Sequence, residues 1–201
     1  EEGNPAFIAL DFGICIDGSG ELIPQLIEMQ GFASLYAWQH ELGKQYKAHF
    51  PIPDTVDHLF NGLDESSYID LLKKIIIGNH QPENVIILEI EPDKQKTWID
   101  FYLTRSMLDI EPVCISKIIK EGKDLFYMKN GVKTKIHRIY DRLIFDELQA
   151  RKDLLLQWNL TDEVNVEWVC HPNWFFRISK YTLPFIKSKY VPETIFLNEL
   201  K

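Results

Sequence analysis

The strongest constraint on the fold is a nearly continuous apolar run from Val85 to Ile90. Such a run is typical of a strand that is buried on both faces within a parallel sheet. The pattern that follows predicts a helix over residues 93–108 and a second short strand over Val113–Ser116. This β-α-β order predicts a mainly parallel sheet with a right-handed crossover, and therefore a Rossmann-like α/β domain.

The chain before this run predicts a β-hairpin followed by two helices. Alternating apolar residues indicate a strand over Phe7–Ile16, the sequence Asp17-Gly18-Ser19-Gly20 is typical of a tight turn, and Leu22–Met29 forms the return strand. The first predicted helix runs over residues 34–47 with Ser34 as its N-cap. The second runs over residues 68–76 and is capped by Ser66 or Ser67.

The chain after the β-α-β unit alternates between strand and helix patterns. Asn130-Gly131 predicts a hairpin between residues 125–128 and 132–137. A helix over 145–157, a strand over 166–170 and a helical stretch over 172–187, broken at Pro184, complete the prediction. We therefore expect two domains. Residues 1–80 hold the hairpin and helices, and residues 81–201 form the Rossmann-like domain.

Composition narrows the classes of partner. The net charge of -8 disfavours nucleic acid, and the sequence has no apolar run of the length that crosses a bilayer. The three cysteines form no Cys-x-x-Cys pair, which favours reduced thiols and a cytoplasmic location. Neither glycine-rich phosphate-loop motif is present, so any nucleotide chemistry requires another architecture.

The best candidate for a chemical site is a set of three oxygen-bearing side chains on the predicted hairpin. Glu28 and Gln30 are two residues apart on one strand and so point to the same face, and Asp11 lies on the partner strand. Carboxylate and amide oxygens suit Mg²⁺, which holds phosphates for transfer. Two carboxylates and one amide are also a common surface set, and spacing alone favours an ordinary solvated hairpin.

Several short motifs resemble those of the glutathionylspermidine synthase family, a group of ATP-grasp ligases with permuted subdomain order. Asp11-Phe12, Leu26-Ile27-Glu28-Met29-Gln30 and Ser34-Leu35 are similar to the family's Asp-Phe strand, its Leu-Leu-Glu-x-Asn strand and its Thr/Ser-Leu helix start. Further matches follow near the end of the chain: His171-Pro172-Asn173-Trp174 resembles Glu-Pro-x-Trp, Ser179-Lys180 resembles Asn-Lys, Leu183-Pro184 resembles Leu-Pro, and Tyr190-Val191-Pro192 stands near Phe-Pro.

The resemblance implies a Mg·ATP-dependent ligase that joins a small-molecule carboxylate to an amine through an acylphosphate. It implies that Asp11, Glu28 and Gln30 are the Mg²⁺ ligands and that residues 81–201 are a pre-ATP-grasp domain. It also implies that the ATP-binding subdomain lies beyond residue 201, so that this chain alone is inactive.

Two departures from the family pattern support an alternative. Gln30 stands where the family has Asn, and Ala9 stands where the family has an Arg that would contact the transferring phosphate. These differences favour a non-catalytic module that binds a small molecule or a protein and retains the scaffold.

A weaker candidate for substrate binding lies near a predicted strand end. Arg138 and Arg142 flank Asp141 closely enough to meet a substrate carboxylate, since the guanidinium fork matches that geometry. An ion pair that stabilises the domain is the competing interpretation.

Overall fold

The computed structural model describes residues 3–200 and has a mixed α/β fold, as predicted. The strands are β1 (Ala9–Ile16), β2 (Leu22–Gln30), β3 (Val85–Glu89), β4 (Glu111–Cys114), β5 (Ile119–Glu121), β6 (Asp124–Lys129), β7 (Val132–Ile136), β8 (Arg138–Asp141) and β9 (Glu167–Val169). The helices are α1 (Tyr36–His49), α2 (Glu65–Ile76), α3 (Trp98–Leu108), α4 (Phe145–Ala150) and α5 (Asn173–Arg177).

The chain forms two compact units. The first unit contains the residues up to Ser34 together with those from Cys170 onward, and the second unit contains Leu35–Val169. The domain boundary expected between residues 80 and 81 lies inside the second unit, between α2 and β3. Within residues 3–200, no helix is both long and apolar enough to span a bilayer.

The first unit is built on the predicted hairpin, in which β1 and β2 pair antiparallel. The predicted helical stretch near the end of the chain is shorter than expected. It consists of α5 and a separate 3-10 helix over Lys180–Phe185, which contains Pro184. Residues after α5 bond to β2 and to the residue that follows it: Leu26 N–H, in the middle of β2, donates to Tyr190 O at 2.7 Å, and Gly31 N–H donates to Ile178 O at 3.0 Å.

The second unit contains a four-stranded parallel sheet in the order β4-β3-β8-β9. All five residues of β3 are buried, which agrees with the apolar run that predicted it. The sequence analysis predicted no strand at β8. The sequence Arg138-Ile139-Tyr140-Asp141 begins and ends with a charged residue, so its apolar content is too short to stand out.

A three-stranded antiparallel sheet in the order β5-β6-β7 is inserted between β4 and β8. The predicted hairpin around Asn130 forms its β6–β7 pair, and β5 is an additional strand that was not predicted. The core of this region combines side chains from both sheets with Trp158, which is 1% exposed. Its other fully buried members are Ile86, Leu88, Ile115, Ile118, Leu125, Ile136 and Ile139.

The predicted helix caps are wrong in both of the first two helices. Residue Leu35 precedes α1 in a left-handed conformation (φ 52°) and makes no side-chain cap, so Ser34 does not cap this helix. Helix α2 starts earlier than predicted, because Asp64 is its N-cap. The Asp64 carboxylate accepts the Ser67 N–H at 2.8 Å, and the Ser67 hydroxyl accepts the Asp64 N–H at 2.9 Å.

Two further predicted helices are shorter than expected. Helix α3 begins at Trp98 rather than at residue 93, because Pro92–Lys94 forms a separate 3-10 turn. Helix α4 ends at Ala150 rather than at residue 157.

The capping arrangement of α2 gives a test of this local structure. We expect Asp64→Ala to lower the free energy of unfolding by about 1 kcal/mol, because the first-turn amide of Ser67 loses its acceptor. The matched control is Ser66→Ala, which removes a neighbouring hydroxyl and should change stability by less than about 0.5 kcal/mol. Urea denaturation of both variants measures the difference, and equal losses would contradict the assignment of Asp64 as the cap.

Candidate functional site

The register of the hairpin in the first unit is set at its turn. The Asp17 carboxylate accepts the Ser19 N–H at 2.8 Å, the Ser19 hydroxyl at 2.6 Å and the Glu21 N–H at 3.1 Å. Gly20 has a φ of 88°, which is a conformation that glycine adopts without strain. Because these contacts close the turn at one place, they set the register of the pairs next to it, from Ile16–Leu22 to Phe12–Leu26.

Beyond those pairs, a bulge at Ile27 brings the predicted trio together, because the turn register alone would place Asp11 opposite Ile27. Asp11 lies directly opposite Glu28, and Gln30 lies opposite Ala9. Alternation along each strand therefore puts the side chains of Asp11, Glu28 and Gln30 on one face of the hairpin, where directly opposed Cβ atoms are about 5 Å apart. The bulge follows immediately, because Ile27 has no partner between the Asp11–Glu28 and Phe12–Leu26 pairs. Asp11 is exposed, while Glu28 and Gln30 are half-buried.

A lysine from the end of the chain completes this face. The Lys180 Nζ lies 3.2 Å from Glu28 Oε2. Lys180 is the first residue of the 3-10 helix that Ser179 caps, and the Gly31–Ile178 hydrogen bond ties the preceding residues to the end of β2. The side chain of Lys180 is 64% exposed and that of Glu28 is 33% exposed, so the ion pair is accessible to solvent and can exchange partners.

The donor types on this face fit a hard divalent cation. Asp11 and Glu28 supply carboxylate oxygens and Gln30 supplies an amide oxygen, as Mg²⁺ requires. Across residues 3–200, no group of three or more His, Cys, Asp or Glu side chains is arranged to hold a metal ion. The hairpin trio contains two such residues, so a third protein ligand would have to be the Gln30 amide.

The first predicted substrate-binding arginine makes structural contacts in the second unit. Arg138 donates from Nε to Ile76 O and from Nη2 to Ile75 O, both at 3.0 Å, and its Nη1 pairs with Glu167. It thereby satisfies the last carbonyl groups of α2, which otherwise lack partners. Contact between Arg138 and a substrate stays a prediction.

The second predicted arginine is buried in the same unit. Arg142 is 5% exposed, and its Nη1 pairs with the carboxylate of Asp100, which is 0% exposed. The other oxygen of Asp100 accepts the Trp38 N–H at 2.9 Å, so one ion pair connects β8, α3 and α1. Contact between Arg142 and a substrate also stays a prediction.

Two further buried carboxyl groups lie near Arg142. Glu89 ends β3, and Asp141 ends the neighbouring strand β8, where it lies opposite Leu88. Burial raises the pKa of Glu89 to about 7. Burial, aided by the charge of Glu89, raises the pKa of Asp141 well above its ordinary range. The Asp141 Oδ1 accepts the Leu143 N–H, whereas its Oδ2 has no hydrogen-bond partner among residues 3–200.

No protein-family model matches the chain, and no curated protein matches it either.

Sequence reasoning missed three features of these sites. Glu89 was visible as a single acidic residue inside an apolar run, which is a clue to a buried carboxyl group. Lys180 was noted only as part of the Ser179-Lys180 motif, and nothing in the sequence connected it with Glu28. The Asp100–Arg142 pair joins residues 42 positions apart, so only the folded chain reveals it.

The raised pKa of Glu89 makes stability depend on pH. Its ordinary pKa is 4.5, so between about pH 4.5 and pH 7 the unfolded chain loses a proton that the folded chain keeps. The contribution of Glu89 to the free energy of unfolding is therefore full below this interval and is lost as the pH rises through about 7. We expect Glu89→Gln, which stays neutral, to gain roughly 3 kcal/mol relative to wild type between pH 4.5 and pH 8.

Urea denaturation at several pH values measures this gain. Glu83→Gln is the matched control, because Glu83 is an exposed residue two positions before β3, and its stability difference from wild type should stay constant with pH. Parallel stability curves for wild type and Glu89→Gln would contradict a buried Glu89 carboxyl with a raised pKa.

Proposed function

We propose that this chain belongs to a cytoplasmic, Mg·ATP-dependent carboxylate–amine ligase of the ATP-grasp type, similar to the glutathionylspermidine synthase family. In this proposal the first unit supplies the metal-binding hairpin, and the parallel sheet of the second unit belongs to the pre-ATP-grasp domain. The substrates are a small-molecule carboxylate and an amine.

The observation that carries the proposal is the pairing of Asp11 with Glu28, with Gln30 on the same face. These are the three residues that the family resemblance assigns to Mg²⁺, and the antiparallel register gathers them although they come from two strands. A hairpin shifted by one residue would turn Asp11 to the opposite face from Glu28. The register therefore supports the metal-site interpretation more specifically than the motif does.

The bound cation would neutralise phosphate charge, and the remaining tasks fall to the chain. Asp11 and Glu28 would supply carboxylate oxygens from one face of the hairpin. The Lys180 ammonium neutralises Glu28 before a ligand arrives, and as a mobile point charge it suits a phosphate oxygen. In a ligase of this class the substrate carboxylate accepts a phosphoryl group, and the amine then displaces phosphate from the acylphosphate. Catalysis of this kind depends on positioning and charge neutralisation.

A second candidate function is a non-catalytic binding module. Two observations favour it. Ala9, which lies opposite Gln30, occupies the position where the family has an arginine, and Lys180 forms an ion pair with Glu28. In this alternative the ammonium is the permanent partner of Glu28, and no divalent cation enters. Removal of Lys180 would therefore strengthen cation binding in the ligase, whereas the binding module would bind no divalent cation with or without Lys180.

Titration with Mn²⁺, a paramagnetic substitute for Mg²⁺, separates the two functions. We expect saturable Mn²⁺ binding by electron paramagnetic resonance, and we expect Asp11→Asn and Glu28→Gln each to weaken it at least about tenfold, since each removes a charged oxygen ligand. Lys180→Gln should tighten binding several-fold, because an ammonium group no longer competes for Glu28.

The matched control is Glu21→Gln, which removes an exposed carboxylate next to β2 without touching the trio. It should leave Mn²⁺ affinity unchanged. If wild type and Lys180→Gln both lack saturable Mn²⁺ binding, the ligase proposal is overturned and the binding-module alternative stands.

A further inference from the structure

The second unit contains a cavity of about 640 Å³ that is lined in part by β4. Strand β4 is the last strand of the parallel sheet on its side, so within residues 3–200 its other edge has no paired strand. The end of β6 and the turn residue Asn130 also line the cavity. The volume lies within the range of about 300–1,000 Å³ that is usual for small-molecule sites.

Most of the charged groups around the cavity neutralise one another. Lys94 Nζ lies 2.6 Å from Glu91 Oε1, and Arg105 Nη2 lies 3.2 Å from Glu111 Oε1. All four of these residues line the cavity. These two ion pairs contribute no net charge to it.

Two of the remaining lining residues are lysines that form no ion pair within residues 3–200. Lys117 follows β4 and Lys129 ends β6. Neither forms an ion pair with a carboxylate of residues 3–200, and Asp93 is the one lining acid outside the two ion pairs. The cavity thus has an excess of positive charge in a chain whose net charge is -8, which favours an anionic occupant.

The other lining groups define the rest of the occupant. The Glu91 N–H donates to Cys114 Sγ at 3.2 Å, and the same sulfur lies 3.1 Å from Ser116 Oγ. A hydroxyl group has one donor and two acceptor positions, so Ser116 keeps hydrogen-bonding capacity for a ligand. Met128 and Leu154 add apolar surface. The lining therefore suits a molecule with an anionic group and a short apolar body.

We propose that this cavity binds a small organic anion, a carboxylate or a phosphate monoester, with Lys117 and Lys129 as its counter-charges. The site belongs wholly to the second unit and does not depend on the metal-site proposal for the first. Carboxylates and phosphate monoesters share an anionic group, which the two lysines and the Ser116 hydroxyl would hold.

Titrations followed by amide NMR of the full chain test this site. The probes are phenyl phosphate, phenylacetate and the neutral phenylacetamide. We expect at least one anion to give saturable shifts at Ser116, Lys117, Met128 and Lys129, and the relative affinities of the two anions identify the preferred group. The neutral amide should bind at least about tenfold more weakly.

Substitution of the lysines decides whether charge carries the binding. The double variant Lys117→Gln/Lys129→Gln should bind the preferred anion at least about tenfold more weakly. The control Lys74→Gln, which removes an exposed lysine on α2 outside the cavity lining, should bind like wild type. Equal binding of amide and anion, an unaffected double variant, or no saturation by about 10 mM would overturn the proposal.

Discussion

The burial of β3 on both faces is the constraint on which the second unit depends. Because every residue of β3 is buried, its backbone N–H and C=O groups cannot bond to water and need paired strands on both edges. Strands β4 and β8 pair with it in parallel. Its carboxyl end then brings Glu89 and Asp141 into the interior beside the Asp100–Arg142 pair. Burying charge is expensive unless it is paired or neutralised. In the second unit, Arg142 is paired with Asp100, and burial raises the pKa values of the two remaining carboxyl groups, Glu89 and Asp141.

The candidate ligand carboxylates of the first unit, by contrast, are not fully buried. Asp11 and Glu28 stay in contact with solvent, on a hairpin whose register depends on the Asp17 turn and on the bulge at Ile27. Lys180 is the only basic group that the described residues bring to Glu28 as an ion-pair partner. A solvent-accessible pair costs little to break, and in the ligase proposal this face would exchange the ammonium group for a divalent cation. That exchange is the physical basis of the ligase proposal.

Local patterns predicted the features that depend on neighbouring residues. The apolar run at β3, the hairpins around Asp17 and Asn130, and the pairing of Asp11 with the Glu28 strand all followed from alternation and turn chemistry. The features that were missed depend on distant contacts. Strand β8 owes its place to β3 rather than to its own pattern. The N-cap of α2 is Asp64, and Ser67 takes part as its reciprocal partner at the third helical position.

The most direct test of the ligase account is anomalous diffraction from crystals of the chain grown with Mn²⁺. The account predicts an anomalous peak between the carboxylates of Asp11 and Glu28, with the Lys180 ammonium displaced from its 3.2 Å contact with Glu28. An intact Lys180–Glu28 ion pair, with no anomalous peak at the hairpin at a saturating Mn²⁺ concentration, would contradict it.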